Sequence, residues 1–142
     1  MLFRSKEDTM FVPNEVAYLL NNYLTKEYKP NLWAYFYEKG YKLLNNNGLI
    51  SYIVPRTFID NVHYNQLRSF FAIKSEIIEI SKLSYEVFDQ ATIGGSSICF
   101  FKKSNSLEKN VNLLTFFSAD DFYNKTYALI ELPPIVAWSN TS

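Results

Sequence analysis

Apolar and polar positions along this 142-residue chain follow two periods, and the switches between them outline the fold. Val16, Leu19, Leu20 and Tyr23 recur at helical spacing after Asn14, which predicts an amphipathic helix over 15–25. KEYKP breaks it, because Pro30 disfavours helix at the residue before it. Asn31 then offers a cap for a second helix, in which Trp33, Phe36, Tyr37, Tyr41 and Leu44 share one face. NNNG (45–48) ends that helix, with Gly48 as the residue free to turn left-handed. LISYIV (49–54) is short, apolar and β-branched, the pattern of a strand covered on both faces. Pro55 closes it. Helical spacing returns over 60–73 through Tyr64, Leu67 and Phe71, with Asp60 or Asn61 as cap. EIIEISKL (76–83) and SSICFFKK (96–103) read as strands, and NVNLLTFF (110–117) as a weaker one. SADDFYNKTYAL opens like a short capped helix, and IELPPIVAWSNTS, with two prolines and no period, reads as a linker. The order helix, strand, helix, strand, loop, strand predicts an α/β fold.

Composition narrows the class. Hydrophobic residues make up 48% and charged residues 20%, with zero net charge, so the chain is globular rather than disordered. Balanced charge also argues against a chain whose whole task is gripping phosphate backbones. The single cysteine, Cys99, excludes an internal disulfide framework and fits a reducing, cytoplasmic compartment. Flanked by Ile98, Phe100 and Phe101, it is expected to be buried and inert. No apolar run is long enough to span a membrane, and MLFRSKEDTM lacks the apolar core of a signal peptide. A soluble, cytoplasmic protein without a membrane partner is the expectation.

Residue types alone identify no reaction. No GxGxxG or GxxxxGK phosphate loop is present, and one His and one Cys cannot make a metal set. His63, at a helix start, reads as solvated, and Asp120 and Asp121 read as first-turn acids that favour a helix dipole. Two rings stand out by position. Phe36 lies on a helix leading into a strand, and Phe88 lies in the EVFDQATIGG loop between two strands. Composition leaves each open as either a core residue or a contact.

An ordered set of short motifs carries a resemblance. These are Asn31-Leu32-Trp33, Leu43-Leu44 with Gly48, Pro55-Arg56-Thr57-Phe58, Leu67-Arg68, Val87-Phe88 and Lys102-Lys103. Over 31–103 they resemble the gamma-type (TaqI-like) adenine-N6 DNA methyltransferases of bacterial restriction–modification systems, in their C-terminal catalytic half. The resemblance implies a partial Rossmann-like methyltransferase sheet made of the fifth, sixth and seventh strands. That sheet is mixed parallel and antiparallel, with the last strand antiparallel between the other two and helices flanking it. It further implies that 1–30 follows the catalytic loop, that 31–117 is the half-domain, and that 118–142 leads toward a target-recognition domain.

The family's glycine-containing cofactor loop, acidic ribose contact and Asn-Pro-Pro-Tyr loop have no counterpart in these residues. No catalytic residue is therefore assigned. By resemblance Phe88 matches the aromatic that stacks on the flipped-out target adenine. Phe36 matches the aromatic beside the adenine of S-adenosylmethionine. Asn31, Pro55 and Thr57 are motif positions without assigned contacts. S-adenosylmethionine and double-stranded DNA are implied for the complete enzyme, with no cofactor expected to bind this stretch alone. The implied partners are the N-terminal half, the target-recognition domain and a second copy of the chain. A stand-alone interaction or nucleic-acid-binding module reusing the half-sheet is the competing reading.

Overall fold

The computed structural model describes residues 12–24, 31–89, 94–104 and 110–132. Helix α1 (Pro13–Asn22) begins with a proline, whose missing N–H costs nothing in a first turn, and the Glu15 carboxylate accepts a hydrogen bond from the Val12 amide. Helix α2 (Leu32–Leu43) leads through a tight turn into strand β1 (Leu49–Pro55). In that turn Asn47, not Gly48, takes the left-handed conformation, with φ 63°. Asparagine tolerates this region, so the expected glycine role moves by one residue. The single helix expected over 60–73 is instead a 3₁₀ turn at Val62–Tyr64 followed by α4 (Asn65–Lys74), and a short α3 (Thr57–Asp60) precedes them. The Asn61 side chain caps the 3₁₀ turn by accepting from the His63 amide.

Strands β2 (Glu76–Leu83), β3 (Ser96–Lys102) and β4 (Val111–Phe116) follow, then helix α5 (Ala119–Asn124) and strand β5 (Ala128–Leu132). Ser118 caps α5 by accepting from the Asp121 amide. The five strands form one sheet in the order β1-β3-β2-β4-β5. β3 runs antiparallel between β1 and β2, β2 and β4 are parallel, and β5 closes antiparallel on β4. The expected mixed α/β sheet with its inserted antiparallel strand is therefore present. β5 is an addition, because 128–132 reads as linker in sequence yet pairs along the length of β4.

The larger of two core clusters lies on one face of this sheet. Trp33, Tyr37 and Tyr41 of α2 and Leu67 and Phe71 of α4 pack on Ile50, Val54, Ile80, Cys99 and Phe101. The rings interlock, with Phe71 stacked on Phe101 at 3.9 Å and Tyr37 meeting Phe71 edge-on at 5.0 Å. Cys99 is fully buried, and burial raises its thiol pKa, as an inert cysteine requires.

Two expectations are corrected here. β1 is covered on one face only among the described residues, because α2 and α4 both pack on the same side. Leu49, Ile53 and Phe100 consequently share a second face and stay 61%, 40% and 38% exposed. Phe36 does not join the inner face of α2. That helix instead buries a second flank, Ala34, Tyr35 and Glu38. Tyr23 packs edge-on against Tyr35 at 5.1 Å, and both Glu38 oxygens accept from the Leu24 amide. Phe36 is left 44% exposed.

Candidate functional site

Because β1, β2 and β4 run the same way, their carboxyl ends lie along one edge of the sheet. Open α/β sheets place ligands at such an edge. α2 runs back against β1, as its contacts show: Trp33 meets Phe58 just beyond β1, whereas Tyr41 donates to the Lys74 carbonyl at the other end. Asn31 is thereby brought to the carboxyl edge, where its amide donates to the Tyr64 hydroxyl at 3.4 Å. Pro55 ends β1 there, and Thr57 opens the following turn. The structure thus gathers Asn31, Pro55, Thr57 and the Phe88 loop at one edge. Phe36 stands separately on α2.

The turn after β1 is held from beneath by Arg68. This guanidinium is fully buried and donates to the carbonyls of Phe58 at 2.7 Å and Asn61 at 2.8 Å, and to the Asn65 side chain. A buried cation is tolerable because acceptors replace its water. Phe58 in turn packs on Trp33 and Tyr37, so the clamp ties the turn to the first half of α2.

The Phe88 loop leaves β2 after Leu83. The Ser84 amide donates to the Phe116 carbonyl, and Tyr85 and Val87 pack on the cluster of Leu83, Leu114 and Phe116. Val87 thereby anchors the loop, and the neighbouring Phe88 ring stays half-buried. Two hydrogen bonds tie the returning end. The Gly94 amide donates to Glu86 Oε1 at 3.0 Å, and the Gly95 carbonyl accepts from the Arg56 amide at 3.1 Å. Gly95 has φ 98°, and a Cβ there would lie 2.5 Å from the Leu83 carbonyl oxygen, so only glycine fits. Beside the loop, burial raises the Tyr85 phenol pKa, with Tyr123 and Asp121 adding negative charge from the α5 side.

Sequence reasoning met Arg56 only as a member of the Pro55–Phe58 motif, without a role, and did not single out Glu86 or Gly95. Gly95 acts through its backbone, which no side-chain pattern reveals, whereas Glu86 holds the loop with its carboxylate. Arg68 carried a signal, a charged residue between Leu67 and Phe71 on an otherwise buried stripe. Among the described residues no group of three or more His, Cys, Asp or Glu is placed to hold a metal ion. None of the described helices is long and apolar enough to cross a membrane.

Comparison with solved structures finds the same fold in larger proteins. The type IIG restriction endonuclease BpuSI aligns with a TM-score of 0.61 at 15% identity, covering 84% of this chain and 16% of that one. The protein of the DrdV–DNA complex gives 0.60 at 14% identity, covering 89% and 15%. A Listeria monocytogenes protein described as a class I S-adenosylmethionine-dependent methyltransferase gives 0.60 at 20% identity, covering 82% and 36%. At these identities the likeness is one of fold, and the chain spans well under half the length of each. No curated protein sequence matches. The model of the Eco57I restriction-modification methylases matches residues 4–88, more than half of the sequence and all of the segment from α1 to Phe88. The chain belongs to the Eco57I restriction-modification methylase family.

Proposed function

We propose that this chain forms the base-side part of a site-specific DNA methyltransferase of the gamma, TaqI-like type, acting on the exocyclic N6 of adenine. It corresponds to the C-terminal half of the catalytic domain. The observation that carries this reading is the Phe88 loop, an aromatic held half-buried at the carboxyl edge of a methyltransferase-type sheet by ties at Gly94 and Gly95. Family membership supports the same assignment.

A base inside a duplex hides its exocyclic nitrogen, so methylation requires extrusion at a cost of a few kcal/mol. Stacking on an aromatic face offsets about 1–3 kcal/mol of that. Phe88 supplies such a face, and the Gly94 and Gly95 ties fix its height above the sheet. S-adenosylmethionine, when bound, supplies an electrophilic methyl on its sulfonium. Of the residues present, the exposed ring of Phe36 fits the adenine of that cofactor. The sequence holds no Asn-Pro-Pro-Tyr run and no glycine-rich loop, so the amine-gripping and cofactor-cradling residues belong elsewhere in the complete enzyme. In isolation the chain is inactive and binds no cofactor. Its partners are double-stranded DNA, the rest of the catalytic domain and a target-recognition domain, and its site of action is the cytoplasm.

The test is methyl transfer from labelled S-adenosylmethionine to duplex DNA by the complete enzyme, with the product base identified by mass spectrometry. Phe88→Ala is expected to lower kcat/KM by about 5- to 150-fold, the kinetic equivalent of one lost stacking face, and Phe88→Trp to retain most activity. N6-methyladenine absent from the product, or an unaltered Phe88→Ala enzyme, defeats the reading.

A further inference from the structure

We infer that Arg56 is a DNA phosphate contact beside the base pocket, a role that rests on the DNA-methylating reading above. Two arginines flank the turn after β1, and their surroundings differ. Arg68 is fully buried and spends its guanidinium on the Phe58 and Asn61 carbonyls. Arg56 is half-exposed, and among the described residues no carboxylate pairs with it. The fold fixes where Arg56 sits. Its amide donates to the Gly95 carbonyl at 3.1 Å. Its stem also lies over Gly95, since a Cβ built there would be 3.6 Å from Arg56 Cδ. The residue is therefore pinned where the end of β1 meets the returning end of the Phe88 loop, on the β3 side of β1. Its charge is not needed by the hydrogen bonds that hold the turn, which use only its backbone. A guanidinium carried on a fixed backbone, without an acidic partner, at the edge where a base would enter has the chemistry of a phosphate clamp. Phosphate contacts set register on the duplex without reading sequence.

The lysines at the opposite end of the sheet provide the contrast. Lys74 and Lys103 line a recess of about 440 Å³ with Tyr41, Asn46, Asn47 and Ser104. Lys103 donates to the Leu44 carbonyl at 2.7 Å, and Lys74 closes the last turn of α4. Lys103 answers a helix C-terminal carbonyl directly, and Lys74 sits in a last turn where the helix dipole favours a cation, both structural uses of positive charge.

The experiment is DNA binding by the complete enzyme as a function of salt, with Arg56→Gln, Arg56→Lys and Lys74→Gln. One lost phosphate contact lowers the slope of log K against log salt by about 0.9. Arg56→Gln is expected to show that loss equally on cognate and unrelated duplexes. Arg56→Lys keeps the wild-type slope, as does Lys74→Gln, and S-adenosylmethionine affinity is unchanged in all three. An unchanged slope in Arg56→Gln overturns the inference, and so does an equal loss in Lys74→Gln. Lost cofactor affinity with an intact slope reassigns Arg56 to the cofactor and also overturns it. Should Arg56→Gln fail to fold, an Arg56→Lys slope different from wild type decides against the contact. Wild-type enzyme that does not methylate adenine instead removes the functional reading, and is distinguishable because it needs no variant.

Discussion

Gly95 joins three parts of the molecule: the end of β2, the return of the Phe88 loop and the start of β3. Its φ of 98° is strained for any residue with a side chain, and the obstacle is the Leu83 backbone, which has no rotamer to yield. Gly95→Ala is therefore expected to destabilise the fold by at least ~2 kcal/mol, seen as a lower urea midpoint at unchanged slope. Gly94, with open space around its Cβ position, serves as the comparison, since alanine there meets only the cost of its φ of 67°. A Gly95→Ala midpoint no lower than that of Gly94→Ala would refute the argument. At this scale the sequence was legible where side chains decide and opaque where backbone does. Cys99 between Ile98 and Phe100 declared its burial. Phe36 did not declare its exposure, because the periodicity that groups it with Trp33 and Tyr37 carries no information about Tyr23 and Leu24, just after α1, meeting the next flank.

Helix α2 is the element through which most of the core is assembled. Its Tyr37 is fully buried, donates its hydroxyl proton to the Cys99 carbonyl at 2.9 Å and accepts from the Tyr52 amide at 3.3 Å. Burial above all, and then the nearby Cys99 thiol, hold the phenol pKa well above the ordinary tyrosine value. Because the folded pKa is raised, the native state keeps a proton that the unfolded chain releases above about pH 10. The associated stability is complete below about pH 10 and is lost as pH rises beyond it. Denaturant midpoints are expected to be flat up to about pH 8, to begin falling at about pH 8.5 as the unfolded Cys99 thiol ionises, and to fall more steeply above about pH 10. Tyr37→Phe should show a shallower decline, though not a level one, since the Cys99 thiol is raised in the same direction. Identical alkaline declines in the two proteins would discount the buried phenol. Helices and the first strands were legible because one period persists through each. β5 was not, since Pro133-Pro134 after Leu132 gives a short edge strand the composition of a linker.

Taken as a whole, the sheet is covered along one face and only in part, at the Leu83–Leu114–Phe116 cluster, on the other. β1 hydrogen-bonds only to β3 among the described residues, and the face carrying Leu49, Ile53 and Phe100 is half-bare. An open edge beside an apolar face is a template for pairing. On the function proposed above, a further part of a catalytic domain would cover it, and alone the chain is expected to self-associate through it. Sedimentation should show dimers or larger species in the micromolar range, and Ile53→Lys should shift them toward monomer. A monodisperse monomer without that substitution would count against the prediction. The sequence announced this edge only indirectly. LISYIV reads as doubly covered, whereas among the described residues it is covered on one face only.

The antiparallel placement of β3 has one further effect. Because β2 and β3 are neighbours in a single ladder, both feet of the Phe88 loop stand on the same rigid pair of strands. Residues inserted between Asp89 and Gly94 would lengthen the span without altering either register. Closing a loop twice as long costs only about 0.6 kcal/mol more. The reach of the ring can therefore drift while the sheet beneath it stays constant. That makes this short span a place where related chains can diverge in loop length without having to refold.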